Sequence, residues 1–411
     1  MLSDRRKAYP VPGWVSLPRN PTVLAYRLFI GTAGADLESN TVHGGAGAFD
    51  PRHFTLGRPV LRGLPELREL LILADHALRI PAAQARVEEL ARLEHGGESF
   101  PLLAFRFGPD DPGLPVFALF GGVHGLERIG TQVVLAYLRT LLEMARWDRA
   151  TQDMLATTRL VMVPLLNPVG MYLRFRANGN RVDLMRNAPV EAEGLAAWHW
   201  FGGQRLTPRL PWYRGAADAP METEARALCD FVRREIFPAR TALSIDVHSG
   251  YGKVDRLWFP YAKTRAAFPG LPEAVALKHL LDRSHPNHVY HVEPQSLHYL
   301  AHGDLWDYLY DGYRAIQPDG HYLPFTLELG SWLWVKKNWV QAFSALGVFN
   351  PRLPHRVRRT LRRHLFLFDL FHRATRSPEP WAGLEPAERG RLEAQGLRLW
   401  YGGGERERPA R

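Results

Sequence analysis

From Leu114 onward, short unbroken apolar runs alternate with stretches of helical periodicity. Pro115-Val-Phe-Ala-Leu-Phe ends in Gly121-Gly122. Leu160-Val-Met-Val-Pro-Leu-Leu, Ala242-Leu-Ser-Ile-Asp-Val and Phe325-Thr-Leu-Glu-Leu, closed by Gly330, share that character. Runs this short, with little polar alternation, mark strands covered on both faces. Between the first two, Ile129 to Met144 places Val133, Leu135, Leu138 and Leu141 at helical spacing, and Met221 to Phe237 reads as a helix before the third. The alternation predicts an α/β domain with a mixed, largely parallel central sheet flanked by helices. Upstream, Pro65 to Leu78 predicts a helix with Leu67, Leu70, Leu71 and Ala74 on one face. Ala85–Leu93 and Phe100–Phe107, separated by His95-Gly-Gly-Glu, predict a hairpin. Residues 1–60, rich in Pro, Gly and turn signals, read as an N-terminal loop-rich extension, residues 61–377 as the main domain and 378–411 as a tail. In such sheets, ligands gather at the carboxyl ends of the strands.

Composition narrows the chemistry. The 411 residues suffice for one large domain with extensions. The single cysteine, Cys229, excludes an intramolecular disulfide and a Cys-rich metal site, so any metal ion would rest on His and carboxylates. In its helix-like run, Cys229 reads as a small core residue. The N-terminal Met-Leu-Ser-Asp-Arg-Arg-Lys lacks an apolar signal core and no run of eighteen apolar residues occurs, giving the expectation of a cytoplasmic protein with no membrane partner. A net charge of +10 admits anionic partners. Its densest patch, Arg356 to Arg363, carries Val357, Leu361, Leu365 and Phe368 at helical spacing and reads as the solvated face of an amphipathic helix. With no recognition motif beside it, no nucleic acid partner is expected. No G-x-S-x-G elbow or phosphate-binding loop is present.

The candidate chemistry lies at the predicted strand ends. His124-Gly-Leu-Glu127 follows the first run, and a His and a carboxylate three positions apart on a turn entering a helix can face one centre. His248, in Asp246-Val-His-Ser-Gly, is a third donor at another strand end. Two His and one Glu, with one position left for water, form a ligand set of catalytic zinc sites. Such a site needs a carboxylate outside the ligand set to take and return a proton, and Glu328 is the candidate. Taken alone, Glu328 also fits a salt-bridged strand end.

Two further blocks decide between these readings. Asn167-Pro-Val-Gly170 follows the second run, and Arg176-Ala-Asn-Gly-Asn-Arg-Val-Asp-Leu-Met-Arg-Asn187 comes next. With the H-x-x-E turn, the strand ending His248-Ser249 and the strand carrying Glu328, these occur in the order found in the zinc metallocarboxypeptidases. The chain resembles that family over roughly residues 62 to 375. The resemblance implies one Zn2+ per chain on His124, Glu127 and His248, with Glu328 as general base and acid. It further implies that Arg176 polarises the scissile carbonyl, that Arg186 pairs with a substrate carboxylate, and that Asp183 orients a ligating imidazole. Tyr299 would cap the substrate, with Tyr290, Tyr308 and Tyr310 as rivals. The implied activity is removal of C-terminal residues from peptides.

Three positions depart from the family pattern. Met185 stands where an Asn helps hold the terminal carboxylate, Arg181 replaces a Gly, and Val169 replaces an Asp. Arg181 either compensates for Met185 or faces solvent. Trp306 falls where the family lines its specificity pocket, which implies a filled or shallow apolar pocket, while Asp304 and Asp307 keep a basic preference open. An alternative is a resemblance to the aspartoacylase and succinylglutamate desuccinylase branch, which acts on acylated amino acids. His285-Pro-Asn-His-Val-Tyr-His291 lacks a matching carboxylate set and reads as a polar strand or loop rather than a second metal site.

Overall fold

The structure, a computed structural model, describes residues 47–51, 54–196, 199 and 202–402. Among these residues nine strands form one sheet: β1 (Gly47–Ala48), β2 (Arg86–His95), β3 (Glu98–Phe107), β4 (Val116–Gly121), β5 (Arg159–Val163), β6 (Thr241–Ser249), β7 (Arg256–Phe259), β8 (His291–Pro294) and β9 (His321–Leu329). Their order is β1-β2-β3-β5-β4-β6-β9-β7-β8. The four central strands, β5, β4, β6 and β9, run parallel, and the antiparallel β2–β3 hairpin extends one side. This is the mixed, largely parallel sheet that the apolar runs predict. Every residue of β4, β5 and β6 is buried, the reason those runs lack polar alternation.

In chain order the helices are α1 (Arg58–Gly63), α2 (Pro65–Leu78), α3 (Arg128–Ala145), α4 (Arg149–Thr157), α5 (Pro168–Leu173), α6 (Thr223–Glu235) and α7 (Leu271–Ser284). They continue with α8 (Leu305–Ile316), α9 (Trp332–Lys337), α10 (Ala345–Phe349), α11 (Pro354–Arg363), α12 (Leu365–Arg376) and α13 (Pro386–Gly396). Strand alternation sends neighbouring side chains to opposite layers. On β4, Phe117 packs on His372 of α12, whereas Phe120 packs on Trp306 of α8 with ring centroids 4.9 Å apart. The helix α3 joins α12 against β4 and β6. The α8 side therefore receives the even-numbered residues of β4, and with them Asp246 of β6.

Both expected boundaries lie inside packed structure. Most of the N-terminal extension falls outside the described residues, yet β1 already pairs with β2 before residue 60. Beyond residue 378, Trp381 is fully buried and donates its indole N–H to the Ala374 carbonyl at 2.8 Å. Further on, α13 packs on α7, with Arg389 bonded to Glu273. Apolar Trp381, Ala382 and Leu392 supply the burial that a free tail lacks.

Candidate active site

Four segments converge beyond the carboxyl ends of the central strands. After β4 the chain turns through His124-Gly-Leu-Glu127 into α3, and Gly125 is pressed against the turn that opens α5. A Cβ on Gly125 would overlap the carbonyl carbon of Gly170, so the two motifs can touch only through glycine. The Asn167 side chain caps α5 by accepting from Gly170 N at 2.8 Å and donates to the Val123 carbonyl at 3.2 Å, tying the second strand's loop to the first.

His124, Glu127 and His248 are all buried, and one donor atom from each lies within 4.8 Å of the others. Each is held from behind. His248 Nε2 bonds Asp246 Oδ2 at 2.7 Å, which leaves Nδ1 facing Glu127 Oε2 at 3.2 Å. Glu127 Oε2 also accepts the Ser249 backbone N–H at 2.8 Å. Arg176 can only donate, so its 2.7 Å contact makes His124 Nε2 an acceptor and puts the ring hydrogen on Nδ1. That buried Nδ1 finds no hydrogen-bond partner; Asp183 Oδ1 stands 3.6 Å away.

The two imidazoles are driven in opposite directions. Burial, then Arg176 and His248, holds His124 well below the ordinary imidazole range, so its lone pair is free to donate. Burial alone would lower His248 too, but Asp246 and Glu127 outweigh it and raise its proton affinity well above normal. The positive guanidinium of Arg176 already stands against two of the donors, at His124 Nε2 and at Glu127 Oε1, 3.3 Å away. Two imidazoles and a carboxylate converging in a buried setting fit a zinc ion.

Around these donors lie the remaining predicted residues. Glu328 pairs in register with His248 across β6 and β9, so the two side chains share a face. Its Oε2 is buried without a partner, and burial followed by the nearby Glu127 pushes its pKa up to about 7. Asp183 accepts Arg176 Nε at 2.9 Å, aiming the guanidinium at the donors. Arg186 is buried, with Nη1 donating to Asp304 at 3.2 Å and Nη2 to the Tyr299 hydroxyl at 3.4 Å, while Nε has no partner. The rival tyrosines are engaged elsewhere: Tyr290 with His364, Tyr308 with Arg233, Tyr310 against Phe268. Met185 packs into the core, and Arg181 is exposed with its guanidinium over the Phe175 ring, so Arg181 does not replace the missing amide at Arg186.

Trp306 is buried in the first turn of α8. Its indole N–H donates to Asp246 Oδ2 at 3.0 Å, the oxygen that also holds His248. Asp304, two residues earlier, caps α8 and grips Arg186, and Asp307 accepts the backbone N–H groups of Ala262 and Lys263. Sequence reading missed Asp246 as the partner of a ligand. The signal was available in Asp246-Val-His248, since residues two apart on a strand share a face. The His285–His291 segment does not converge: His288 bonds Asp282 and His285 stacks on Phe366.

A sequence profile described as zinc carboxypeptidase matches residues 80–331, well over half of the chain. The chain belongs to the zinc carboxypeptidase family. Among relatives of the family, carboxypeptidase SOL1 of Arabidopsis thaliana is 33% identical over 111 residues, a stretch covering 25% of this chain and 22% of that protein. The crystal structure of thrombin activatable fibrinolysis inhibitor shares the zinc carboxypeptidase-like fold, with a TM-score of 0.56 and 18% identity over 78% of this chain and 77% of that one. The bovine protein of that name, in complex with tick carboxypeptidase inhibitor, gives 0.55 and 19% over 77% of this chain and 97% of that one.

Proposed function

We propose that this chain is a zinc-dependent carboxypeptidase that releases C-terminal residues from peptides. The observation that carries the reading is one constellation: three convergent donors, a buried carboxylate beside them, and a buried arginine within the same site. His124, Glu127 and His248 would hold the zinc, which when bound polarises a carbonyl and makes a neighbouring water acidic. Glu328 takes a proton from the attacking water and returns it to the leaving amine, a task suited to a carboxyl poised near neutrality. Arg176, fixed by Asp183, offers a rigid donor to the oxygen that becomes negative during attack. Arg186 retains an unpartnered Nε and a long contact to Tyr299, so a substrate carboxylate can be received there. Tyr299 then closes over the bound end. The Met185 side chain adds no polar contact, and its carbonyl already accepts from Arg186 Nη1 at 3.3 Å, so the arginine carries that recognition with less help.

The test combines bound-metal analysis with a substrate panel of free-acid peptides, amidated peptides and N-acyl amino acids. One zinc per chain and cleavage of free-acid peptides only is expected. Cleavage confined to N-acyl amino acids would move the chain to the amidohydrolase reading. Glu328→Gln should keep the metal and lose about 10³-fold or more in turnover; near-normal turnover would remove Glu328 from its role.

A further inference from the structure

From Gly330 to Phe368 the sequence has no Asp or Glu, against eight lysines and arginines. This stretch begins two residues after Glu328 and forms α9, a 3-10 turn at Trp339–Phe343, α10 and α11. It is a built lobe. Buried Gln341 donates to the carbonyls of Gly347 and Asn350 at 2.9 and 3.1 Å, and Asn350 bonds Leu126 and Ile129 beside the Glu127 donor. Arg356 joins α11 to α9 through the Trp334 carbonyl at 3.3 Å.

Two kinds of side chain face outward from the lobe. Trp339 is 68% exposed, Val340 53% and Trp332 47%, a concentration of apolar surface that a soluble face rarely carries in so few residues. On α11, Val357 and Leu361 pack inward, while Arg358, Arg359 and Arg362 point out and form no ion pair among the described residues. A solvated helix face accounts for the arginines but leaves exposed Trp339 and Val340 unexplained; Trp332 is tied down by its indole N–H to the Gly250 carbonyl at 2.8 Å. A soluble polyanion would likewise be served by the arginines alone. An exposed indole and unpaired cations on one acid-free lobe suit the interface of a bilayer, where rings sit at headgroup depth and cations meet anionic lipid.

We propose that this lobe docks the protein onto an anionic lipid bilayer, with Trp339 and Val340 entering the headgroup layer and the α11 arginines over the lipid phosphates. No described helix is long and apolar enough to cross a membrane, so the association is peripheral. This departs from the expectation of no membrane partner, which rested on the absence of a spanning segment. The proposal stands apart from the hydrolase reading, since it uses none of those residues.

Flotation of the full chain with vesicles of phosphatidylcholine, alone or mixed with phosphatidylglycerol, tests it at physiological salt. Binding to the mixed vesicles and little to the neutral ones is expected. Arg358→Glu, Arg359→Glu and Arg362→Glu together should weaken it at least about 100-fold, from roughly fivefold per cation. Trp339→Ser with Val340→Ser should weaken it about tenfold while leaving its salt dependence unchanged. Thermal melts matching the parent chain verify that both variants fold. Absence of binding to the mixed vesicles, or equal binding to both vesicle types, would overturn the proposal. So would tighter binding to soluble polyphosphate that the Trp339/Val340 variant leaves intact, which would make the face a polyelectrolyte site.

Discussion

Replacing Trp306 by phenylalanine removes one hydrogen-bond donor and keeps an aromatic ring against Phe120. The lost bond is the 3.0 Å contact to Asp246 Oδ2, the oxygen that orients His248. Asp246 Oδ1 is already buried without a partner, so the carboxylate would retain His248 as its sole side-chain contact. Donors to charged acceptors contribute about 1.5–3 kcal/mol, and groups behind a metal ligand typically change metal affinity by about 10–100-fold. Part of the loss is expected in fold stability and part in orientation, so zinc should bind about tenfold more weakly, near 1.4 kcal/mol. The assay is competition with a chromophoric chelator, run on the parent chain, Trp306→Phe and Asp246→Asn, with a denaturant melt of each. Affinity within twofold of the parent for Trp306→Phe, alongside a large fall for Asp246→Asn, would refute the indole's part while leaving Asp246 in place. A parent chain that holds no metal would instead refute the zinc reading as a whole.

Other outcomes follow from the same geometry. Arg186→Lys, which loses the fork but keeps the charge, should raise KM for free-acid peptides about 100-fold with a smaller change in kcat, measured in initial-rate assays; an unchanged KM would count against carboxylate recognition there. His372 is buried on Phe117 and bonded to Thr158 at 2.8 Å, and burial lowers its pKa to about 3. Because its folded pKa lies below the unfolded value, its stabilising contribution is complete above about pH 6.5 and is lost as pH falls toward 3, reaching about 3 kcal/mol at pH 4. Denaturant midpoints of the parent chain and His372→Gln at pH 7 and pH 4 should therefore converge in acid; parallel shifts would refute the assignment.

The central strands were legible because strands covered on both faces leave continuous apolar runs, and β4, β5, β6 and β9 all do. The helix at Pro65–Leu78 was legible from its one-sided pattern. By contrast, β7 and β8 span four residues each, too short for a period to declare itself. The tail looked separable because its polar composition outweighs the few apolar residues that anchor it, Trp381 and Leu392 among them. At the site, donors close in sequence to a strand end could be read from their motifs. The link from Trp306 to Asp246 joins residues 60 apart and exists only once α8 lies over the sheet, so no local spacing announces it.

The first turn of α8 reaches in two directions: Asp304 grips Arg186, and Trp306 braces Asp246 behind His248. The backbone leaves no slack between them, for a Cβ on Gly303 would overlap the Arg186 carbonyl. For anyone redesigning what this chain cleaves, that turn is a shared axle. Repositioning the arginine to accept a new substrate end will also tilt the imidazole on the other side, so altered selectivity and altered metal retention should be inherited together. Variants selected for a new specificity are best screened for both from the outset.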